Sequence, residues 1–166
     1  QTLVSLTLAR GEVPVTVANA DDAIRAAAER SPDLALLDNR IKGQRDGIET
    51  ARWNLLHPEA EPRRSYVEQC LREHSGPVIA ATDYMKTVPD QIRQWVPGRY
   101  AALGTDGFGR SDGRAPLRHH FEVDCKSVVV AALKALADEG SIDRSTVTKA
   151  MTDLGVEPDK PNPVSE

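Results

Sequence analysis

Short apolar runs alternate with segments of helical periodicity along this 166-residue chain. Four of the runs are continuous over four to six residues and are bounded by turn-forming residues, which is typical of strands buried in a sheet. The predicted strands are residues 13–18, residues 33–38, Val78–Ala81 and Tyr100–Leu103.

Apolar residues at three- and four-residue spacing predict helices between and after these strands. The clearest helix begins after Asp124, carries Val128, Val129, Leu133 and Leu136 on one face, and ends at Gly140. The other predicted helices are residues 2–10, 22–30, 47–52, 66–73, 84–86, 90–95 and 142–154. Because strands alternate with helices, we predict an α/β fold with a mostly parallel sheet of four or five strands and helices on both faces.

Charge and cysteine content exclude several classes of protein. The formal net charge is −4 and the isoelectric point about 5.6, so nothing favours binding to nucleic acid. No apolar run approaches the roughly 20 residues that span a bilayer, and the start lacks the pattern of a signal peptide, so we expect no membrane and a cytoplasmic location. Cys70 and Cys125 form no Cys-x-x-Cys pair, which argues against a disulfide framework or a structural zinc.

Four segments form a distinctive series of motifs. They are ARWNLLHP (51–58), VIAATDYMKTVPDQIRQWVP (78–97), LGTDGFGRSD (103–112) and LRHHFEVD (117–124). The helix VVVAALKALADEGSID (128–143) follows in register. In order, spacing and content, this series resembles the C-terminal domain of the homodimeric pyruvate dehydrogenase decarboxylase, a thiamine-dependent, transketolase-like family. The resemblance covers about residues 52–143.

The resemblance implies a transketolase C-terminal-domain-like unit over residues 52–156, with a structural and dimer-supporting role. In that family, the two preceding domains hold thiamine diphosphate and Mg²⁺ at a dimer interface, and the acetyl group passes to a lipoyl acyltransferase core. This chain contains no Gly-Asp-Gly followed by Asn, the signature of such cofactor sites. We therefore expect no catalytic residue, no metal site and no bound cofactor. The expected partners are the preceding domains, a second subunit and the lipoyl acyltransferase core.

The first 51 residues depart from that pattern. DLALLD (33–38), a loop and then DGIE (46–49) resemble part of a two-component response-regulator receiver domain, which has a flavodoxin-like fold. The receiver family carries its phosphoacceptor at the end of the third strand, a position that matches Asp38. Receivers also use an acidic pair after their first strand, which we do not find here, and a Lys after their fifth strand. Lys126 and Lys160 are the late lysines near a plausible position, and neither follows a predicted strand. Asp38 is thus either a phosphoacceptor or a structural acid that caps the next loop.

The two resemblances meet near residues 51–53. The chain can be a natural fusion, an engineered chimera, an assembly error, or a hybrid fragment without independent activity. Residues 157–166 form a separate proline-rich tail.

The glycine-rich loop at residues 104–113 is the first candidate site. Its backbone N–H groups could cradle an anion, but Asp106 and Asp112 would repel phosphate. We favour a rigid loop that packs Phe108 against a partner or a neighbouring domain, with Arg110 at the same interface.

The second candidate site is the adjacent pair His119 and His120. Neighbouring residues point to opposite faces of a strand, or about 100° apart on a helix, so the two rings cannot share a metal. We expect Arg118 and one His to contact acids across an interface, with Glu122 or Asp124 among them.

Overall fold

The computed structural model describes residues 42–73 and 75–165. The predicted helices at 2–10 and 22–30 and the predicted strands at 13–18 and 33–38 lie outside these residues. The elements in chain order are α1 (Lys42–Leu56), α2 (Tyr66–Leu71), β1 (Val78–Ala81), α3 (Thr87–Asp90), a 3₁₀ helix (Arg93–Trp95), β2 (Tyr100–Leu103), α4 (Arg114–His120), α5 (Cys125–Asp138) and α6 (Arg144–Leu154).

The two described strands pair in parallel. Val78 lies opposite Tyr100, and the register continues to Ala81 opposite Leu103. The connection between the strands contains α3 and the 3₁₀ helix, because parallel strands need a crossover rather than a tight turn. The predicted α/β class, with a parallel sheet and flanking helices, is confirmed.

Two apolar clusters hold these elements together. In the first, α5 packs against α6, and its members are Val129, Leu133, Ala137, Val147, Ala150 and Leu154. In the second, Trp95 and Tyr100 pack with Val67 and Val96 between α2 and the sheet. Helix α1 also approaches Trp95 closely, since a Cβ on Gly47 would lie 2.3 Å from the indole ring. A side chain at position 47 would therefore push α1 away from this cluster.

Several helix bounds differ from the predicted ones. The predicted helix at residues 84–86 is wrong, because Tyr84 uses its carbonyl oxygen to accept a hydrogen bond from the Thr105 backbone, and the helix starts at Thr87 instead. In the predicted helix at residues 90–95, Asp90 is the last residue of α3 and only Arg93–Trp95 form a short 3₁₀ helix. Helix α4 was not predicted; it tolerates Pro116 because the first turn of a helix has no intrahelical partner for its N–H groups.

Candidate functional site

Two loops run side by side at the carboxyl ends of β1 and β2. The Thr82 backbone N–H donates to the Leu103 carbonyl (3.0 Å), and the Thr105 N–H donates to the Tyr84 carbonyl (2.9 Å). Gly104 is required at this crossing, because a Cβ there would lie 2.6 Å from the Tyr84 oxygen. The edge where ligands commonly bind in parallel sheets is thus built from residues 82–86 and 104–113.

Two of the three acids at this edge, Asp83 and Asp106, pair with basic groups of the same chain. Arg118 donates through Nε and Nη2 to the two carboxylate oxygens of Asp83, at 2.9 and 2.6 Å. Asp106 accepts a hydrogen bond from the Lys86 backbone at 3.0 Å, and the Lys86 ammonium lies 3.8 Å from its other oxygen. These pairs fix α4 and the two loops to each other, because a two-point Arg–carboxylate contact constrains orientation as well as distance.

Phe108 lies at the tip of the second loop and is 78% exposed. Asp112, predicted with it as part of the site, accepts a hydrogen bond from the Gly113 backbone and stabilises the loop end before α4. Arg110 is also exposed on this loop.

Three further exposed apolar side chains lie on backbone that contacts this loop. They are Tyr84, Met85 and Val164. We call these three residues and Phe108 the Phe108 surface.

The two histidines lie on α4 and have different surroundings. His119 is exposed, and its Nδ1 lies 3.2 Å from an Asp124 carboxylate oxygen. His120 is half-buried, with its ring edge against Phe121. The two rings thus contact different neighbours. Arg118 contacts Asp83, and His119 contacts Asp124. Both contacts lie within one chain.

One residue that contacts this region is not predicted by any pattern in the sequence. Lys160, in the proline-rich tail, donates to the carbonyl oxygens of His119 and His120 at 3.1 and 2.6 Å. It also lies 3.3 Å from a Glu122 carboxylate oxygen. Forty residues separate Lys160 from these partners, and a local pattern cannot report such a contact.

The described residues do not fit a magnesium–diphosphate site. No group of three or more His, Cys, Asp or Glu side chains within 42–73 and 75–165 could hold a metal ion. Asp83 and Asp106 at the sheet edge are paired with cations, and a diphosphate would have to displace those contacts. We derive no chemical step through thiamine diphosphate in this part of the chain.

Other chemistry is also unsupported where the structure describes the chain. Burial raises the pKa of the Cys125 thiol, and the adjacent Asp124 carboxylate raises it further, which disfavours the reactive thiolate. None of the helices that the structure describes is long and apolar enough to cross a membrane. Asp38 lies outside the described residues, so its phosphorylation stays a prediction.

Comparison with known proteins agrees with the fold. The family model described as "Transketolase-like TK C-terminal domain" matches residues 32–124. The match begins before the predicted boundary at residues 51–52 and includes Asp38. That boundary, and the receiver-like interpretation of the residues before it, stay predictions.

Pyruvate dehydrogenase E1 components of several bacteria are similar to this chain. The one from Pseudomonas aeruginosa is 57% identical over 122 residues, which is 73% of this chain and 14% of that protein. The relative from Cupriavidus necator is 55% identical over 121 residues, 73% of this chain and 14% of its own length. The Escherichia coli K12 relative is 51% identical over 120 residues, 72% of this chain and 13% of its own. With a family match over more than half of its length, the chain belongs to the transketolase-like C-terminal domain family.

Proposed function

We propose that this chain is the C-terminal unit of a pyruvate dehydrogenase E1-type polypeptide, with a structural and dimer-supporting role and no catalytic activity alone. The supporting observation is that the similarity covers most of this chain but only a small part of each relative. Relatives with that name match nearly three quarters of this chain, whereas the chain spans only 13–14% of their length.

The surface at the carboxyl edge supports a role in contact rather than in chemistry. Asp83 and Asp106 are occupied by Arg118 and Lys86, so neither carboxylate is available as a general base or metal ligand. Phe108 is instead exposed, as are apolar side chains on backbone segments that contact its loop, and clustered exposed apolar groups mark sites of interaction with protein. The Phe108 surface is therefore the proposed contact.

The partners in this proposal are the preceding domains of the same polypeptide, a second subunit and the lipoyl acyltransferase core of a complex. Thiamine diphosphate and Mg²⁺ belong to the preceding domains, and the location is cytoplasmic. The similarity to E1 components supports these assignments.

Titration calorimetry tests the absence of catalytic machinery. Thiamine diphosphate is added to the purified chain in the presence of Mg²⁺, and we expect only the heat of dilution. The complete Pseudomonas aeruginosa E1 component serves as the reference under the same conditions. A saturable signal from the 166-residue chain would contradict the proposal that its role is structural.

A further inference from the structure

The C-terminal tail after α6 is anchored although it forms neither helix nor strand. Its first anchor is Lys160, whose side chain is only 19% exposed. The ammonium group donates to the last carbonyl oxygens of α4, those of His119 and His120. A cation at this end of a helix satisfies free carbonyl groups and interacts favourably with the helix dipole. Lys160 therefore holds the tail against the end of α4.

The second anchor joins the tail to the turn that carries Phe108. Pro163 is buried, and a Cβ on Gly107 would lie 2.5 Å from its carbonyl oxygen. Gly107 has a φ of 103°, a conformation that residues with side chains rarely adopt. Asn162 shapes the tail at this point, since its side-chain oxygen accepts from the Val164 backbone at 3.0 Å and its carbonyl accepts from Ser165 at 3.0 Å. The tail and the Gly107 turn thus pack backbone against backbone.

We infer that residues 157–165 act as a clasp that ties the end of α4 to the Gly107 turn and thereby fixes the position of Phe108. The tail also contributes Val164, so the Phe108 surface is composed of residues from both sides of this contact. The inference goes beyond the proposed function, because the clasp is internal to one chain and its test requires no partner.

Limited digestion of the full 166-residue chain with chymotrypsin tests the clasp. Phe108 is an exposed cleavage residue, and a protease must bend the chain around it in order to cut. In Lys160→Met the carbonyl contacts are lost while the apolar stem remains. We expect the initial rate of cleavage after Phe108 to rise about tenfold, because the open form of the turn becomes more populated.

Two variants accompany Lys160→Met. Lys160→Arg keeps a positive donor and should retain most of the protection. Lys134→Met is the matched control, because Lys134 pairs with Asp138 within α5 and should leave cleavage after Phe108 unchanged. If Lys160→Met fails to fold, Asn162→Ala provides the alternative, since it loosens the tail without touching α4.

The position of the cuts decides between the clasp and a general loss of stability. Selective cleavage after Phe108, with the buried Tyr100 still protected, is the expected result. An unchanged rate at Phe108 in Lys160→Met would overturn the clasp. An equal rise at Phe108 and Tyr100 would overturn it as well, because the tail would then stabilise the whole domain rather than the turn.

Discussion

Tyr100 combines burial with two polar contacts on a single side chain. Its hydroxyl donates to the Pro89 carbonyl at 2.7 Å, and the Arg93 guanidinium lies over the ring at 5.0 Å from the centroid. Burial, together with the nearby Asp90 carboxylate and opposed by Arg93, raises the pKa of the phenol from 10.0 to about 12. The neutral phenol is thus the form that the folded state stabilises.

The pKa of Tyr100 predicts a loss of stability at high pH. Because the folded-state pKa lies above the unfolded value, the stabilisation is complete below about pH 10 and is lost as the pH rises towards 12. Tyr100→Phe should cost about 1 kcal/mol at pH 7, for the lost hydrogen bond, and should show a shallower decline above pH 10.

Urea denaturation of the unchanged chain and of Tyr100→Phe between pH 7 and 11 measures how the free energy of unfolding of each depends on pH. Other tyrosines and the lysines titrate in both proteins, so the comparison isolates the contribution of Tyr100. Parallel stability curves above pH 10 would show that its phenol has an ordinary pKa.

At the scale of single elements, the start of α2 depends on a reciprocal cap. The Ser65 hydroxyl accepts a hydrogen bond from the Glu68 backbone at 3.3 Å, and the Glu68 carboxylate accepts from the Ser65 backbone at 2.7 Å. Ser65 is fully buried, so water cannot replace these contacts.

Removal of this cap should destabilise the domain. Ser65→Ala leaves the Glu68 N–H at the helix start without its acceptor, and we expect a loss of about 1–2 kcal/mol in the free energy of unfolding. Denaturant titration followed by circular dichroism measures it. Ser75→Ala, at an exposed loop position, is the control and should change stability by less than about 0.5 kcal/mol. An equal loss of unfolding free energy in Ser65→Ala and Ser75→Ala would contradict the role of the cap.

The sequence predicts those elements whose identity is decided locally. The bounds of β1 and β2 agree with prediction because each is an apolar run between turn residues. Helix α5 agrees because Asp124 caps it and Leu133 and Leu136 repeat on one face. Helix α4 was missed because its seven residues are too few, and too polar, to show a period.

The candidate site is predictable only in part, because a local sequence pattern does not specify contacts between distant residues. The glycines around Phe108 predict a loop from composition alone. The pairing of Asp83 with Arg118 joins residues 35 apart, and Lys160 reaches His120 across 40 residues. Such contacts depend on how the sheet and helices pack, which no local pattern specifies.

At the scale of the whole molecule, Phe108 should be needed for assembly but not for folding. A Phe108→Ala variant loses most of an exposed aromatic side chain, so the melting temperature should change by only a few degrees at most. Its association with a form of the Pseudomonas aeruginosa E1 component that lacks the matching C-terminal segment should weaken at least about tenfold.

Analytical ultracentrifugation of the mixtures measures this association. Tyr66→Ala is the matched control, because it also removes an exposed aromatic ring but lies on α2. Equal weakening by both variants would argue against a specific role of the Phe108 surface.

The size of the native polypeptide tests the central claim most directly. An antibody raised against residues 103–124 identifies the protein in extracts of its source cells by immunoblot. If the chain is the C-terminal unit of an E1-type enzyme, the band should be several times larger than the 18.1 kDa of the 166 residues. A single band near 18.1 kDa would contradict this account, because the chain would then exist without the domains it is proposed to support.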